Sequence, residues 1–207
     1  MLEGKAIVFV VDDDPSIRQS LRLLLGSAGY CVEAFASAKE FLESEHDAPG
    51  PACLVLDVKM PSLSGLDLQK GLKSRNYDIP IIFISGHGDI PMSVQAMKNG
   101  AVDFLPKPFD DDHLLAAVKG ALSKDLQARS DRNELKNIMQ RLDSLTPREH
   151  EVLSYLITGM LNKQIAYELK ISERTVKAHR KQVLDKMGVN SIAELVRLTE
   201  KAGFKPA

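Results

Sequence analysis

Five short apolar runs, each followed by an amphipathic helical stretch, fill the first 120 residues and leave little choice of fold. Ala6, Ile7, Val8, Phe9, Val10 and Val11 form an unbroken apolar run that stops at Asp12. Ile17, Leu21, Leu24, Leu25 and Ala28 then recur at helical spacing until Gly29 ends the helix. The alternation predicts strands at 31–35, 53–56, 81–84 and 102–105, with helices at 38–45, 65–73, 91–99 and from 111 onward. The runs Ile7-Val8-Phe9-Val10-Val11 and Ile81-Ile82-Phe83-Ile84 are apolar on both faces, as strands of a helix-covered parallel sheet must be. The expected architecture is α/β: a five-stranded, parallel, doubly wound sheet.

Past residue 120 the alternation ends. Residues 123–142 are rich in charge, contain neither Pro nor Gly, and keep Leu126, Leu135, Ile138 and Leu142 in line with the preceding Leu122. This predicts a helical linker that can continue the fifth helix, and the weak heptad spacing leaves a coiled-coil contact open. From Leu145 no strand pattern returns. Thr146-Pro147-Arg148-Glu149 reads as a helix start: Thr as N-cap, Pro at the first helical position, Glu closing a capping box. Further helices are expected at 162–169, between Ser172 and Gly188, and after a second capping box, Ser191-Ile192-Ala193-Glu194, to near Gly203. The reading is an α/β domain over 1–122, a helical linker over 123–143 and a small all-α four-helix domain over 144–207.

The net charge of −1 conceals an asymmetry. Residues 1–123 carry 11 Lys+Arg against 17 Asp+Glu, and residues 145–207 carry 11 against 7. An acidic front and a basic rear imply two jobs, with a polyanion as partner for the rear. The N-terminus reaches three acids after a short apolar run, unlike a signal peptide, and no apolar run approaches the ~20 residues that span a bilayer. The chain therefore reads as cytoplasmic, without a membrane partner. Its two cysteines, Cys31 and Cys53, suit buried free thiols in a reducing compartment, a disulfide between them being the alternative.

In a parallel α/β sheet the loops at the strands' C-terminal ends form the ligand crevice. Here strand one delivers Asp12 and Asp13, strand three Asp57, strand four Ser85, and strand five Lys107. Three carboxylates repel one another unless a cation joins them, and an all-oxygen donor set favours a hard ion such as Mg²⁺. A carboxylate nucleophile, a divalent metal, a lysine and a hydroxyl together suit phosphoryl transfer onto an aspartate. Asp57 is the best nucleophile because it ends the central strand. Taken singly, each residue has a plainer reading: a helix cap for one of Asp12, Asp13 and Asp14, a turn residue for Asp57, a solvated charge for Lys107, and a core aromatic for Phe104. Their joint arrival on four strand ends is what favours the site.

The segments VVDDD, LVLDVKMPSLSGLDL, ISGHGD and GAVDFLPKPF closely resemble the receiver domains of the FixJ/NarL group of response regulators. The resemblance implies that Asp57 accepts phosphate from a phosphohistidine of a sensor histidine kinase. It also implies that Asp13, Asp57 and the backbone carbonyl of Lys59 bind Mg²⁺ (or Mn²⁺) directly, with Asp12 acting through water. Ser85 would contact the phosphoryl group, Lys107 pair with it, and Phe104 reorient with Ser85. The domain would catalyse only its own phosphorylation and dephosphorylation. Ser85 stands where Thr is frequent, which keeps the hydroxyl but loses the β-branch and so implies a less rigidly coupled switch; Ser62 stands where Gly is frequent, which puts only local turn geometry in question.

The basic rear suits a helix-turn-helix, whose second helix offers polar and basic side chains to the major groove. Val176, Val183 and Met187 share one face of that helix, with Arg174, Lys177, Ala178 and Lys181 roughly opposite. Ser172 and Thr175 at its start suit phosphate contacts, and Arg180 flanks the apolar face, reaching for phosphate or a neighbouring helix. A solvated basic face on an ordinary bundle explains the charge but not the full string. LTPRE, NKQIA, IS-x-RTVKAH and KM-x-V-x-S resemble a LuxR-type DNA-binding domain along its length. That resemblance assigns groove reading to Lys177, Ala178 and Lys181 and a phosphate contact to Lys163. His179 reads as a half-buried structural residue, and His46, His87, His113 and His150 show no metal-ligand spacing.

The expected function is a DNA-binding transcriptional regulator in which phosphate on Asp57 promotes pairing of two copies and binding to double-stranded DNA, with RNA polymerase as a further partner. A metal-dependent phosphatase is disfavoured because position 59 is Lys rather than an acid and no cap insertion exists. The alternative kept open is a dimeric DNA-binding regulator independent of phosphorylation.

Overall fold

The computed structural model describes residues 5–44, 48–86 and 90–206; Glu45, His46 and His87, which entered the sequence reading, lie outside them. The chain forms two compact units, residues 1–129 and 130–207.

In the first unit the elements run β1 (Ile7–Val11), α1 (Pro15–Ser27), β2 (Cys31–Phe35), α2 (Ala38–Glu43), β3 (Ala52–Asp57), α3 (Gly65–Ser74), β4 (Ile81–Ser85), α4 (Ile90–Lys98), β5 (Asp103–Pro106) and α5 (Asp111–Asp143). The five strands pair in parallel in the order β2-β1-β3-β4-β5. Alternate residues of each strand feed two cores. Phe9, Leu54, Leu56 and Phe83 pack toward α2, α3 and α4. Val8, Val10, Val55, Ile82 and Ile84 pack toward α1 and α5. The doubly wound sheet expected from the two-faced apolar runs is thus present. Strand order reverses between β1 and β3, which opens a crevice at their C-terminal ends.

Cys31 pairs opposite Ile7 and Cys53 opposite Val8, on strands flanking β1. Two strand spacings, about 9–10 Å, separate them, beyond the reach of a disulfide, and both are free thiols.

The α5 helix begins in the first unit and ends in the second. Residues as far as Arg129 fall with the first, because Asp125 is buried there. Its carboxylate accepts from the Ala52 amide at 2.8 Å and from Arg129 Nε at 2.6 Å, while Arg129 Nη1 donates to the Ala48 carbonyl at 2.7 Å. A buried carboxylate is tolerable only when paired and hydrogen-bonded, so this clamp fixes α5 against the start of β3. The weak heptad pattern makes no continuous seam. Leu126 and Leu135 are both exposed, and nine residues at ~100° each puts them on opposite sides of the helix.

The second unit gathers Ile138 and Leu142 of α5 with α6 (Pro147–Ile157), α7 (Asn162–Leu169), α8 (Glu173–Met187) and α9 (Ile192–Lys201) around one apolar core. Thr146 and Glu149 form the expected reciprocal capping box on α6. The second expected box is only half made. Ser191 accepts from the Glu194 amide, but the Glu194 carboxylate reaches back to the Asn190 amide instead of Ser191. Among the described residues no helix is long and apolar enough to cross a membrane.

Candidate functional site

At the C-terminal edge of the sheet, β1 and β3 each run straight into an acid. Asp12 follows the last residue of β1 and is 1% exposed; Asp57 is the last residue of β3 and is 5% exposed. Lys107, just past β5, places its ammonium 2.6 Å from Asp12 Oδ2 and 2.8 Å from Asp57 Oδ1. The backbone aims it, since the Lys107 amide donates to the Ser85 carbonyl at 2.7 Å. Burial pushes the Asp57 carboxyl above its ordinary range, the Lys107 hydrogen bond and charge oppose this, and the Asp12 charge adds to it. Burial works to lower the Lys107 value, yet its hydrogen bonds to Asp12 and Asp57, with the charges of both, outweigh it and hold the ammonium above its usual range.

The surrounding residues fall into distinct places. Asp14, not Asp12 or Asp13, caps α1, accepting from the Ser16 amide at 2.7 Å. Asp12 is held from behind: its Oδ1 accepts from the Asp14 amide and its carbonyl from Arg18 Nη1. Asp13 and Lys59 are exposed beside the pocket. Ser85 ends β4 and is buried. Phe104 is half-buried, with its ring 6.3 Å from that of Phe83, so it is neither wholly core nor wholly surface. Ser62 has φ +71°, the left-handed region that favours glycine. On α4, Ile90, Val94 and Met97 are exposed at i, i+4 and i+7, a single apolar stripe.

The donor set suits a hard divalent ion. It is all oxygen, and the two buried acids already accept one cation, the Lys107 ammonium, between them. Among the described residues no three acidic, histidine or cysteine side chains converge as a ready-made cage. An ion that keeps several waters and takes phosphate oxygens as ligands, as Mg²⁺ does, needs only one or two protein carboxylates.

On α8, Val176, Val183 and Met187 are buried, and Arg174, Lys177, Ala178 and Lys181 are exposed, so the expected two-faced helix is present. Lys170 turns the chain between α7 and α8 at φ +53°. Ser172 is the N-cap of α8, and its hydroxyl accepts from the Thr175 amide and meets the Thr175 hydroxyl at 2.8 Å. Arg180 leans toward α7, with Nη1 3.4 Å from Asn162 Oδ1, while Lys163 is exposed. His179 is half-buried, as expected of a structural residue.

Three supports escaped the sequence reading. Gly65 lets α3 approach the end of β3. Glu149 is nearly fully buried and takes Lys186 of α8 at 2.7 Å besides capping α6. Arg141 of α5 and Arg148 of α6 donate to the carbonyls of Met187 and Leu169, at the ends of α8 and α7. A glycine at a helix start is a signal for the first. The others join residues too far apart in sequence to be read there.

Comparison with known proteins gives two family matches: the response regulator receiver domain over residues 8–119 and the bacterial regulatory proteins of the luxR family over residues 143–199. Nodulation protein W of Bradyrhizobium diazoefficiens is 51% identical over 97% of this chain and 88% of its own length. Transcriptional regulatory protein FixJ of the same organism is 45% identical over 97% of each chain. Among solved structures, the response regulator StyR matches with TM-score 0.87 and 49% identity over 96% of this chain and all of that one. Full-length FixJ from B. japonicum matches with TM-score 0.58 and 43% identity over 97% of this chain and 98% of that one.

Proposed function

We propose, for a chain that belongs to the response regulators joining a receiver domain to a LuxR-type DNA-binding domain, that phosphate on Asp57 controls how tightly the C-terminal helices hold DNA. Residues 1–122 act as phosphoacceptor, 144–207 as DNA-binding module, and 123–143 as the helical connection.

The observation that carries this reading is the Lys107 ammonium bridging two buried carboxylates on neighbouring strand ends. Phosphoryl transfer from a kinase phosphohistidine breaks a P–N bond and forms a P–O bond to a carboxylate oxygen of Asp57. Lys107 favours the ionised form of Asp57 before transfer and faces the phosphoryl oxygens after it. Asp13, Asp57 and the Lys59 carbonyl would hold Mg²⁺ or Mn²⁺ directly and Asp12 through water, and the ion would supply neutralisation of charge on the transferred group. The Ser85 hydroxyl meets the phosphoryl group, and Phe104 turns inward with it. Because Phe104 lies on β5 beside α4, that movement reshapes the surface carrying Ile90, Val94 and Met97, where two copies pair. Paired modules then match a two-half-site operator. On each, Arg174, Lys177, Ala178 and Lys181 face the major groove, while Lys163, Ser172, Thr175 and Arg180 lie toward the backbone.

Incubation with acetyl phosphate and Mg²⁺, followed by intact-mass measurement and DNA-binding titration, tests this. One phosphoryl adduct and tighter DNA binding are expected, both lost in Asp57→Asn. An adduct that survives Asp57→Asn overturns the acceptor. DNA binding and dimerisation indifferent to adduct and variant alike mark a regulator independent of phosphorylation.

A further inference from the structure

At the opposite end of the sheet from Asp57, the C-terminal part of α3 and the turn that follows α4 leave a cavity of about 210 Å³ that the phosphoryl chemistry does not use. Its apolar wall is Leu72, Ile79 and Ile81, with Tyr77 beside them. Lys73 and Asp78 also line it, one of each sign. Two amides face this space with an atom unspent. Gln69, only 5% exposed, donates from Nε2 to the Ala96 carbonyl at 3.3 Å. A carbonyl can only accept, so the amide nitrogen must lie on that side and Oε1 on the other, where it is buried without a hydrogen-bond partner among the described residues. Asn99 accepts from Gln95 Nε2 at 3.0 Å through Oδ1, and its Nδ2 is likewise buried and unpartnered.

Buried polar atoms are almost always satisfied, and two left open on one cavity call for a partner there. Here one, on α3, is an acceptor, and the other, in the turn after α4, is a donor with Gln95 donating to Asn99. A ligand must therefore offer a donor to Gln69 Oε1 and an acceptor to Asn99 Nδ2. The volume falls below the ~300–1,000 Å³ of sites for drug-sized molecules, and the paired signs of Lys73 and Asp78 select no net charge. We propose that the α3–α4 cavity binds a small neutral carboxamide, its amide spanning Gln69 and Asn99 and its body lying on Leu72, Ile79 and Ile81. This site is independent of the phosphorylation reading.

Nicotinamide and nicotinate, which share shape but differ in donor and charge, are the probes. Amide shifts of the ¹⁵N-labelled full chain, followed by NMR, should move at residues 69–81 and 99–100 and saturate with nicotinamide, with nicotinate at least tenfold weaker. Gln69→Leu should weaken nicotinamide at least tenfold while folding as well as the parent, because it removes the orphaned atom at similar volume. Asn99→Ala, at a half-buried position, gives the same comparison should Gln69→Leu fail to fold. Shifts that rise linearly without saturation, equal binding of nicotinate, or affinity untouched by these variants would mean that the cavity holds water alone and overturn the proposal.

Discussion

Gly65 opens α3 so close to the end of β3 that a Cβ on it would stand 2.3 Å from the carbonyl oxygen of Asp57, and 3.1 Å from the side chains of Leu56 and Phe83. The Gly65 amide donates to the Val58 carbonyl at 3.0 Å, so helix and strand end are tied at this point. The obstacle to a side chain is backbone, which cannot swing aside. Gly65→Ala must move either α3 or Asp57, the proposed acceptor. Overpacking of this kind costs about 1–3 kcal/mol. A lower Tm and slower acetyl-phosphate labelling of Asp57 are expected; parent-like values in both would show that the approach is slack.

Asp57 is a buried acid whose folded value lies above its ordinary 3.8, with burial the main cause. The native state then binds a proton more readily than the unfolded chain, so the ionised group weakens the fold at neutral pH. That penalty is complete above the raised value and disappears below about 3.8. Asp57→Asn removes it while Lys107 keeps Asp12 as a partner. Thermal melts across pH should show the variant above the parent at pH 7, with the gap closing on acidification. A gap that widens toward acid would contradict the assigned direction.

Cys53 is fully buried in β3, and burial, with the Asp125 charge adding to it, pushes its thiol up to about 12. The thiolate is the reactive form, so almost none exists at pH 8. In a Cys31→Ser background, a thiol reagent should leave the native protein unlabelled and modify one site only after denaturant is added. Prompt labelling without denaturant would place Cys53 in contact with solvent.

Much of the candidate site at the sheet edge could be read from sequence because strand ends are readable. Apolar runs stop at Asp12, at Asp57 and before Lys107, and a parallel sheet brings such ends to one edge. The strand limits themselves shifted: β3 includes Asp57 and β4 includes Ser85, so both residues sit on strand backbone rather than in free loops. The Asp125 clamp was illegible for a physical reason. Asp125 lies in a charge-rich stretch that reads as solvated, and its partner, the Ala52 amide, is 73 residues away. Gln69 and Asn99 were equally silent, since a polar residue on an amphipathic helix declares its burial only when the neighbouring helix is in place.

Lys186, in the last turn of α8, ends 2.7 Å from the buried Glu149 carboxylate and 3.2 Å from the Ser144 carbonyl. The Lys186 hydrogen bond, with the Thr146 amide second, holds Glu149 below its ordinary 4.5. Stabilisation from this pair is therefore present above about 4.5 and is lost as pH falls through the lower folded value. Lys186→Met leaves the buried Glu149 carboxylate without its cation and with the Thr146 amide as remaining partner, at a cost of about 1–3 kcal/mol, and loosens the end of the helix that carries Arg174, Lys177 and Lys181. Its DNA affinity should drop for every sequence alike, with the salt dependence unchanged, because no phosphate contact is removed. Lys177→Ala, at an exposed position, should leave Tm untouched. It should either relax base preference or lower the salt slope by about 1. Measuring Tm, salt slope and base preference for both variants separates the lysine that holds the helix from the one proposed to meet DNA. A Lys186→Met protein with unaltered Tm and a reduced salt slope would reverse that assignment.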